Sequence, residues 1–418
     1  MGRPHILAGP LAAALLLAGC SSTTPTPPAS GSPATGSPGT GSPSAESPSP
    51  PRPEASVATP GRTAEGTAPR TGPDGRPFVV AERARFGEPW AMAFLPGTPW
   101  LAVTERSGAF VLVDPLSGER RPVAGAPQVV DAGQGGLGDV VPGPTFASDQ
   151  TVYLSWAEAG PGGFGAAVGR ARLVTEGSAR LEGLEVIWRQ QPKVSGHGHF
   201  AHRLAFSADG QYLFVTSGDR QKMEPAQDLS NNLGSLVRLT LDGRPAPGNP
   251  FADQGGVAAE IWSYGHRNPL GLAFDADGRL WSTEMGPQGG DELNLIVRGA
   301  NYGWPRASNG SHYGGGRIPD HADGDGFEAP QVFWTPSVSP SSLMIYNGDS
   351  FPGWKGDAFV GALSGEALIR VDLEGTSARA ADEWPMGQRI REVEQSPDGS
   401  IWLLEDAPGG RLLHLTPP

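Results

Sequence analysis

An apolar run of strand length, an Asp-Gly turn and a second apolar run recur along this chain, and that recurrence leaves few folds open. The phrase reads Leu204-Ala205-Phe206, Asp209-Gly210, then Tyr212 to Thr216; Leu272-Ala273-Phe274, Asp277-Gly278, then Leu280 to Glu284; and Val393-Glu394-Gln395, Asp398-Gly399, then Ile401 to Glu405. A weaker copy joins Met92-Ala93-Phe94 to Leu101 to Glu105 across Pro96-Gly97. Asp-Gly between two such runs is a hairpin signal, because Gly takes the left-handed backbone that a tight turn needs. One hairpin cannot bury both of its faces, so hairpins recurring over one domain stack radially, and the expected fold is all-β, a β-propeller.

Reactive side chains fall in the same phase of several copies. His199 stands seven residues before Phe206, Arg267 seven before Phe274 and Asn268 six before it. Arg389 and Arg391 occupy the matching approach to the last copy, and Gln134, in Gly133-Gln134-Gly135-Gly136-Leu137, precedes a degenerate one. Equivalent positions of different blades lie on a ring around the axis, so these residues are expected to meet.

The first part of the 418-residue chain is not globular in composition. Arg3 precedes an apolar run from Ile6 to Ala18 that closes on Gly19-Cys20. The run is too short to span a bilayer, and it resembles a bacterial lipoprotein signal over 1–20, with Cys20 as the lipidated residue; an ordinary signal peptide with an incidental Cys is the alternative. From 21 to 75 Pro, Ser, Thr, Gly and Ala dominate, which predicts a disordered tether reaching on the order of 40 Å. Cys20 is the only cysteine, so the domain expected over 76–418 folds without an intramolecular disulfide. The formal charge of -13 argues against nucleic acid as a partner and confines the membrane to the role of a lipid anchor. Arginines gathered at the centre of so acidic a chain suggest an anionic ligand.

Three segments carry candidate chemistry. In Gly196-His197-Gly198-His199-Phe200-Ala201-His202, His199 is a candidate general base, a metal cluster of the three histidines is a second reading, and a structural role is a third. In Tyr264-Gly265-His266-Arg267-Asn268-Pro269, Pro holds the Arg-Asn pair in extended backbone, where a guanidinium and an amide serve to hold an oxyanion; packing of the loop is the plainer alternative. The stretch from Glu284-Met285-Gly286-Pro287 to Asp291-Glu292 and on to Asn301-Tyr302 offers carbonyls and carboxylates of the kind calcium prefers, a weak signal by itself.

Together these segments resemble the soluble aldose sugar dehydrogenases of the glucose/sorbosone dehydrogenase family. The phrases that carry the resemblance include Gln134-Gly135-Gly136-Leu137, Ala226-Gln227-Asp228-Leu229, Trp262 to Pro269, Gly289-Gly290-Asp291-Glu292-Leu293-Asn294 and Asn301-Tyr302-Gly303-Trp304-Pro305. The resemblance implies a six-bladed propeller using pyrroloquinoline quinone (PQQ) and calcium to oxidise the anomeric carbon of an aldose to a lactone, with electrons passing to an external acceptor. It implies His199 as the base; Arg267, Asn268, Gln134, Tyr313, Arg389 and Arg391 as cofactor contacts; Gly286 and Pro287 as carbonyl ligands of the catalytic calcium; and Glu292 with the Tyr302 carbonyl at a second calcium. Ser364 stands where the family carries a Lys on the cofactor, Met285 where it carries His or Gln, and Ala201-His202 where it carries Gly-Ser. Loss of that Lys costs about 1–3 kcal/mol against a tricarboxylate. With the N-terminal signal, these features predict an enzyme lipid-anchored on the outer side of a bacterial envelope. A non-catalytic binding propeller and a metal-dependent hydrolase or lactonase using the His197/His199/His202 cluster are the alternatives.

Overall fold

The computed structural model describes residues 71–418 and, apart from them, a two-residue strand at Ser56–Val57. The expected signal with Cys20, and the expected tether up to residue 70 except for that strand, lie outside the described residues. The strands form six sheets arranged as a β-propeller. Blade 1 runs from Pro89–Phe94 out to Arg120–Pro122, blade 2 from Leu137–Pro142 to Arg180–Arg189, and blade 3 from Ala201–Phe206 to Ile261–Tyr264. Blade 4 runs from Pro269–Phe274 to Val332–Trp334, and blade 5 from Pro340–Ile345 to Ser377–Pro385. Blade 6 contains Ile390–Gln395, Ile401–Glu405 and Arg411–Thr416, and its outermost strand, Val79–Arg85, comes from the start of the domain and closes the ring. Ser56–Val57, within the stretch expected to be tether, pairs in parallel with Val332–Phe333 on the edge of blade 4.

Position in the blade explains the composition of each strand. Second strands such as Leu280–Glu284 and Ile401–Glu405 are buried throughout, because a neighbouring blade covers each face. Outermost strands such as Ser377–Pro385 alternate, and Arg370 meets Asp382 there at 2.5–2.8 Å, placing charge along an edge that would otherwise be open for pairing. Each blade-to-blade interface has its own apolar cluster, for example Trp90, Leu112, Leu137 and Trp156 between blades 1 and 2, or Trp281, Leu293, Leu343 and Val360 between blades 4 and 5.

All four sequence-level hairpins are the inner and second strands of blades 1, 3, 4 and 6. Gly278 and Gly399 take the left-handed conformation at φ +80° and +81°, as the Asp-Gly turns require. All six inner strands share a feature the repeat did not announce: the register with the second strand slips near the start of every one. Such bulges re-aim side chains. They lie at Trp90, Gly138-Asp139, His202-Arg203, Leu270, Ser341 and Arg391, the end of the propeller where the candidate residues were expected.

Arg203 ties these bulges together. From blade 3 its guanidinium donates to the carbonyls of Leu270 at 2.7 Å, Ser341 at 2.7 Å and Arg391 at 3.4 Å. It also meets Glu392, lies 3.5 Å from Asp139 and sits 4.2 Å from the centre of the Trp90 ring. It thus touches the other five blades and stands on the axis.

Candidate active site

Above Arg203 lies a cavity of about 360 Å³ whose walls include Trp90, Gln134, Asn268, Tyr313, Arg389 and Arg391. Residues scattered over more than 250 positions of sequence therefore do meet at one end of the ring, as the phase of the repeats predicts. His199 is buried just behind this wall, between the cavity-lining Gln134 and Phe200. Its backbone N–H donates to Gln134 Oε1 at 2.6 Å, and its Nδ1 lies 2.7 Å from Asp219 Oδ1.

Asp219 was not singled out from the sequence. Burial pushes its carboxyl up, yet the bond from His199, the Trp304 indole N–H at 2.8 Å and the Gln221 N–H at 2.8 Å outweigh burial and hold it below the usual carboxylate range. An ionised Asp219 places the proton on Nδ1 of His199, so Nε2, which has no hydrogen-bond partner among the described residues, presents a lone pair. Burial first, then Arg267 and Arg220, push the imidazole below its ordinary value, although Asp219 pulls the other way. A signal for Asp219 existed: three hairpin copies close on an acid, and the copy beginning at Tyr212 runs on through Ser217-Gly218 to Asp219.

Arg267 donates to the Met285 carbonyl at 2.9 Å and to Tyr313 Oη at 3.4 Å, while its Nε is buried without a partner. Asn268 Oδ1 is likewise buried and unpartnered, and its amide nitrogen reaches only Met285 Sδ, at 3.9 Å. Arg389 and Arg391 share one carboxylate, Asp406, at 2.5–2.8 Å. Tyr313 is 73% exposed on its loop. Ser364 does not line this cavity. Its hydroxyl lies 2.8 Å from Ser339 Oγ, which does, and Ser364 itself faces a neighbouring groove of about 300 Å³ with Trp334 and Asp382.

Gly286, Pro287, Glu292 and Tyr302 border a second, much smaller cavity of about 10 Å³ beside Glu284. Asn294 Nδ2 bridges Glu284 and Glu292 at 3.1 and 3.0 Å. Burial and the adjacent Glu284 charge drive the Glu292 carboxyl well above its usual value, and both His321 nitrogens, with Asn294 Oδ1, are buried without hydrogen bonds. Two carboxylates forced together in a dry pocket fit a hard cation.

The three histidines near residue 200 do not converge. His197 packs on the Phe164 ring at 4.2 Å, and His202 stacks on Trp90 at 5.1 Å with Nδ1 2.8 Å from Ser155 Oγ. Among the described residues no group of three or more His, Cys, Asp or Glu side chains is placed to hold a metal ion.

The family model for glucose/sorbosone dehydrogenase matches residues 86–414. The aldose sugar dehydrogenase YliI of Escherichia coli (strain K12) is 40% identical over 340 residues, covering 80% of this chain and 91% of that protein. The apo-form crystal structure of the E. coli soluble aldose sugar dehydrogenase superposes with a TM-score of 0.78 at 39% identity, over 82% of this chain and all of that one. The PQQ-bound aldose sugar dehydrogenase of Streptomyces coelicolor superposes with a TM-score of 0.69 at 30% identity, over 84% of this chain and 99% of that one. With this match spanning the propeller and the residues around its cavity, the chain belongs to the glucose/sorbosone dehydrogenase family of oxidoreductases.

Proposed function

We propose that this protein is a PQQ-dependent aldose dehydrogenase that oxidises the anomeric carbon of sugars to the lactone and passes the electrons to an external acceptor. The observation that carries the reading is the His199–Asp219 pair beside the cavity of about 360 Å³ lined by Arg389, Arg391 and Asn268. PQQ is a planar tricarboxylate, and the cavity offers the guanidinium forks that carboxylates prefer. The unpartnered Arg267 Nε and Asn268 Oδ1 are polar atoms awaiting a ligand or its bound water. Gly286 and Pro287 would supply carbonyls to a catalytic calcium, and Glu292 with the Tyr302 carbonyl would hold a second ion. When bound, the quinone accepts hydride and calcium polarises it.

The protein's own residues supply the rest. His199 Nε2 takes the proton of the anomeric hydroxyl, and Asp219 stabilises the imidazolium that results. Gln134 keeps the His199 backbone in register, and the Arg267 guanidinium offsets negative charge that develops during the transfer. We further propose attachment through a lipid on Cys20 to the outer side of a bacterial envelope. The deciding experiment is a spectral titration of the purified domain with PQQ and calcium, followed by an aldose. Saturable PQQ binding and a spectrum that shifts to the reduced quinone on adding sugar are expected. Absence of PQQ binding would leave a propeller that kept the fold and lost the chemistry.

A further inference from the structure

Arg220 follows Asp219 directly and is 1% exposed, yet it makes no ion pair with any carboxylate among the described residues. Its guanidinium is spent on backbone. Nε donates to the Gly198 carbonyl at 2.8 Å, one terminal nitrogen to Gly196 at 2.5 Å and the other to Phe164 at 2.5 Å. The guanidinium carbon lies 3.7 Å from the centre of the Phe200 ring, and the Arg220 N–H reaches the His199 carbonyl at 3.3 Å. The loop that presents His199 is thus gripped at the carbonyls before and after His197 and from beneath Phe200.

That grip answers a local strain. His199, Ala201 and His202 lie at φ +50°, +56° and +65°, and Arg220 itself at +55°, a region that L-residues occupy only when their surroundings over-determine it. Carbonyl dipoles solvate the buried cation but do not cancel its charge, so the field of Arg220 reaches its neighbours. Burial draws the guanidinium down to about 10, which leaves it charged at neutral pH. The charged groups that bear on His199 are Asp219 at Nδ1, Arg267 from the approach to blade 4, and Arg220 from its own blade. Lys222, next along, reaches out to Ser195 Oγ at 3.3 Å.

We infer that Arg220 is a positioning residue for the reaction, holding the His199 loop in its strained register and adding its positive charge to the burial that favours the neutral, proton-accepting imidazole. The inference rests on the assignment of His199 as base. It assigns Arg220 two separable actions, a clamp that depends on the shape of the guanidinium and a field that depends only on its charge.

Arg220→Met removes both actions, and Arg220→Lys keeps the charge while losing the fork that spans three carbonyls. Two readouts are needed. The first is NMR titration of the His199 imidazole in the cofactor-free protein, assigned by comparison with His199→Gln. The second is the pH profile of kcat/KM in the PQQ-loaded enzyme. In Arg220→Met the His199 titration and the acid limb of the profile should both move to higher pH by about half a unit to one unit, and kcat should fall about 10- to 100-fold. In Arg220→Lys kcat should fall while the titration stays at its wild-type position. PQQ affinity should stay within a few-fold of wild type in both, since Arg220 does not line the cavity. A wild-type titration and kcat in folded Arg220→Met would overturn the inference. Should Arg220→Met not fold, Arg220→Lys with unreduced kcat overturns it. If wild-type protein neither binds PQQ nor oxidises sugar, the proposed function fails, and the NMR titration still decides whether Arg220 sets the protonation of His199.

Discussion

At the scale of single residues, the pair formed by His199 and Asp219 carries the sharpest expectation. His199→Ala should lower turnover by about 10²–10⁴, the range for losing a general base, while PQQ affinity stays within a few-fold. Stopped-flow reduction of the bound cofactor measures the first quantity and fluorescence titration the second. Survival of turnover would move the base elsewhere. His202 is excluded from that role by its surroundings: burial, then the charges of Arg203, Arg220 and Arg391, push its imidazole down to about 3. This has a consequence for stability. The unfolded chain protonates His202 near pH 6.5, whereas the folded chain does so only near 3, so its contribution is complete above pH 6.5 and drains away as pH falls towards 3. His202→Ser should therefore lose less melting temperature than wild type between pH 7 and 5, by roughly 3 °C. Parallel melting curves against pH would show that another group titrates in that window.

At the scale of strands and turns, the repeat was legible because it is local. Alternating runs and an Asp-Gly pair are written in adjacent positions, so the hairpins of blades 3, 4 and 6 could be read directly. Blade 5 was not seen, since its inner and second strands are joined by the long stretch from Tyr346 to Asp357 instead of a tight turn. The closing strand Val79–Arg85 was also silent: its partner, Arg411–Thr416, lies more than 300 positions away. The same distinction separates the site residues. His199, Arg267 and Gln134 stood out through their phase within the repeat, while Arg203, Arg220 and Asp406 act through contacts between blades or loops that no local pattern records. Gly278 tests the local part by itself. A Cβ there would meet nothing within 4 Å, so Gly278→Ala probes only the left-handed backbone at φ +80°. It should cost about 1–2 kcal/mol, measured by urea unfolding, and an unchanged midpoint would mean that the turn relaxes into another type.

At the scale of the whole molecule, Arg203 joins all six blades through bulge carbonyls and two buried acids. Removing it strands those acids without a cation, so Arg203→Met should cost about 3–5 kcal/mol. Burial already pushes Glu392 up to about 7 against the pull of Arg203. A raised carboxyl favours the folded state below its unfolded value and loses that advantage as pH rises through the folded one, so the deficit of Arg203→Met should be small near pH 5 and large near pH 8. A deficit independent of pH would assign the loss to packing alone. The axial arginine also makes the ring a vessel with a floor. If the cavity serves the proposed reaction, sugar arriving, lactone leaving and the molecule that collects the electrons all share its mouth above Arg203. Such traffic must queue: the first visitor has to depart before the next can enter. Steady-state rates should accordingly give parallel lines in double-reciprocal plots, and excess aldose should inhibit by competing with the electron acceptor for the reduced enzyme; intersecting lines would reveal a second way in.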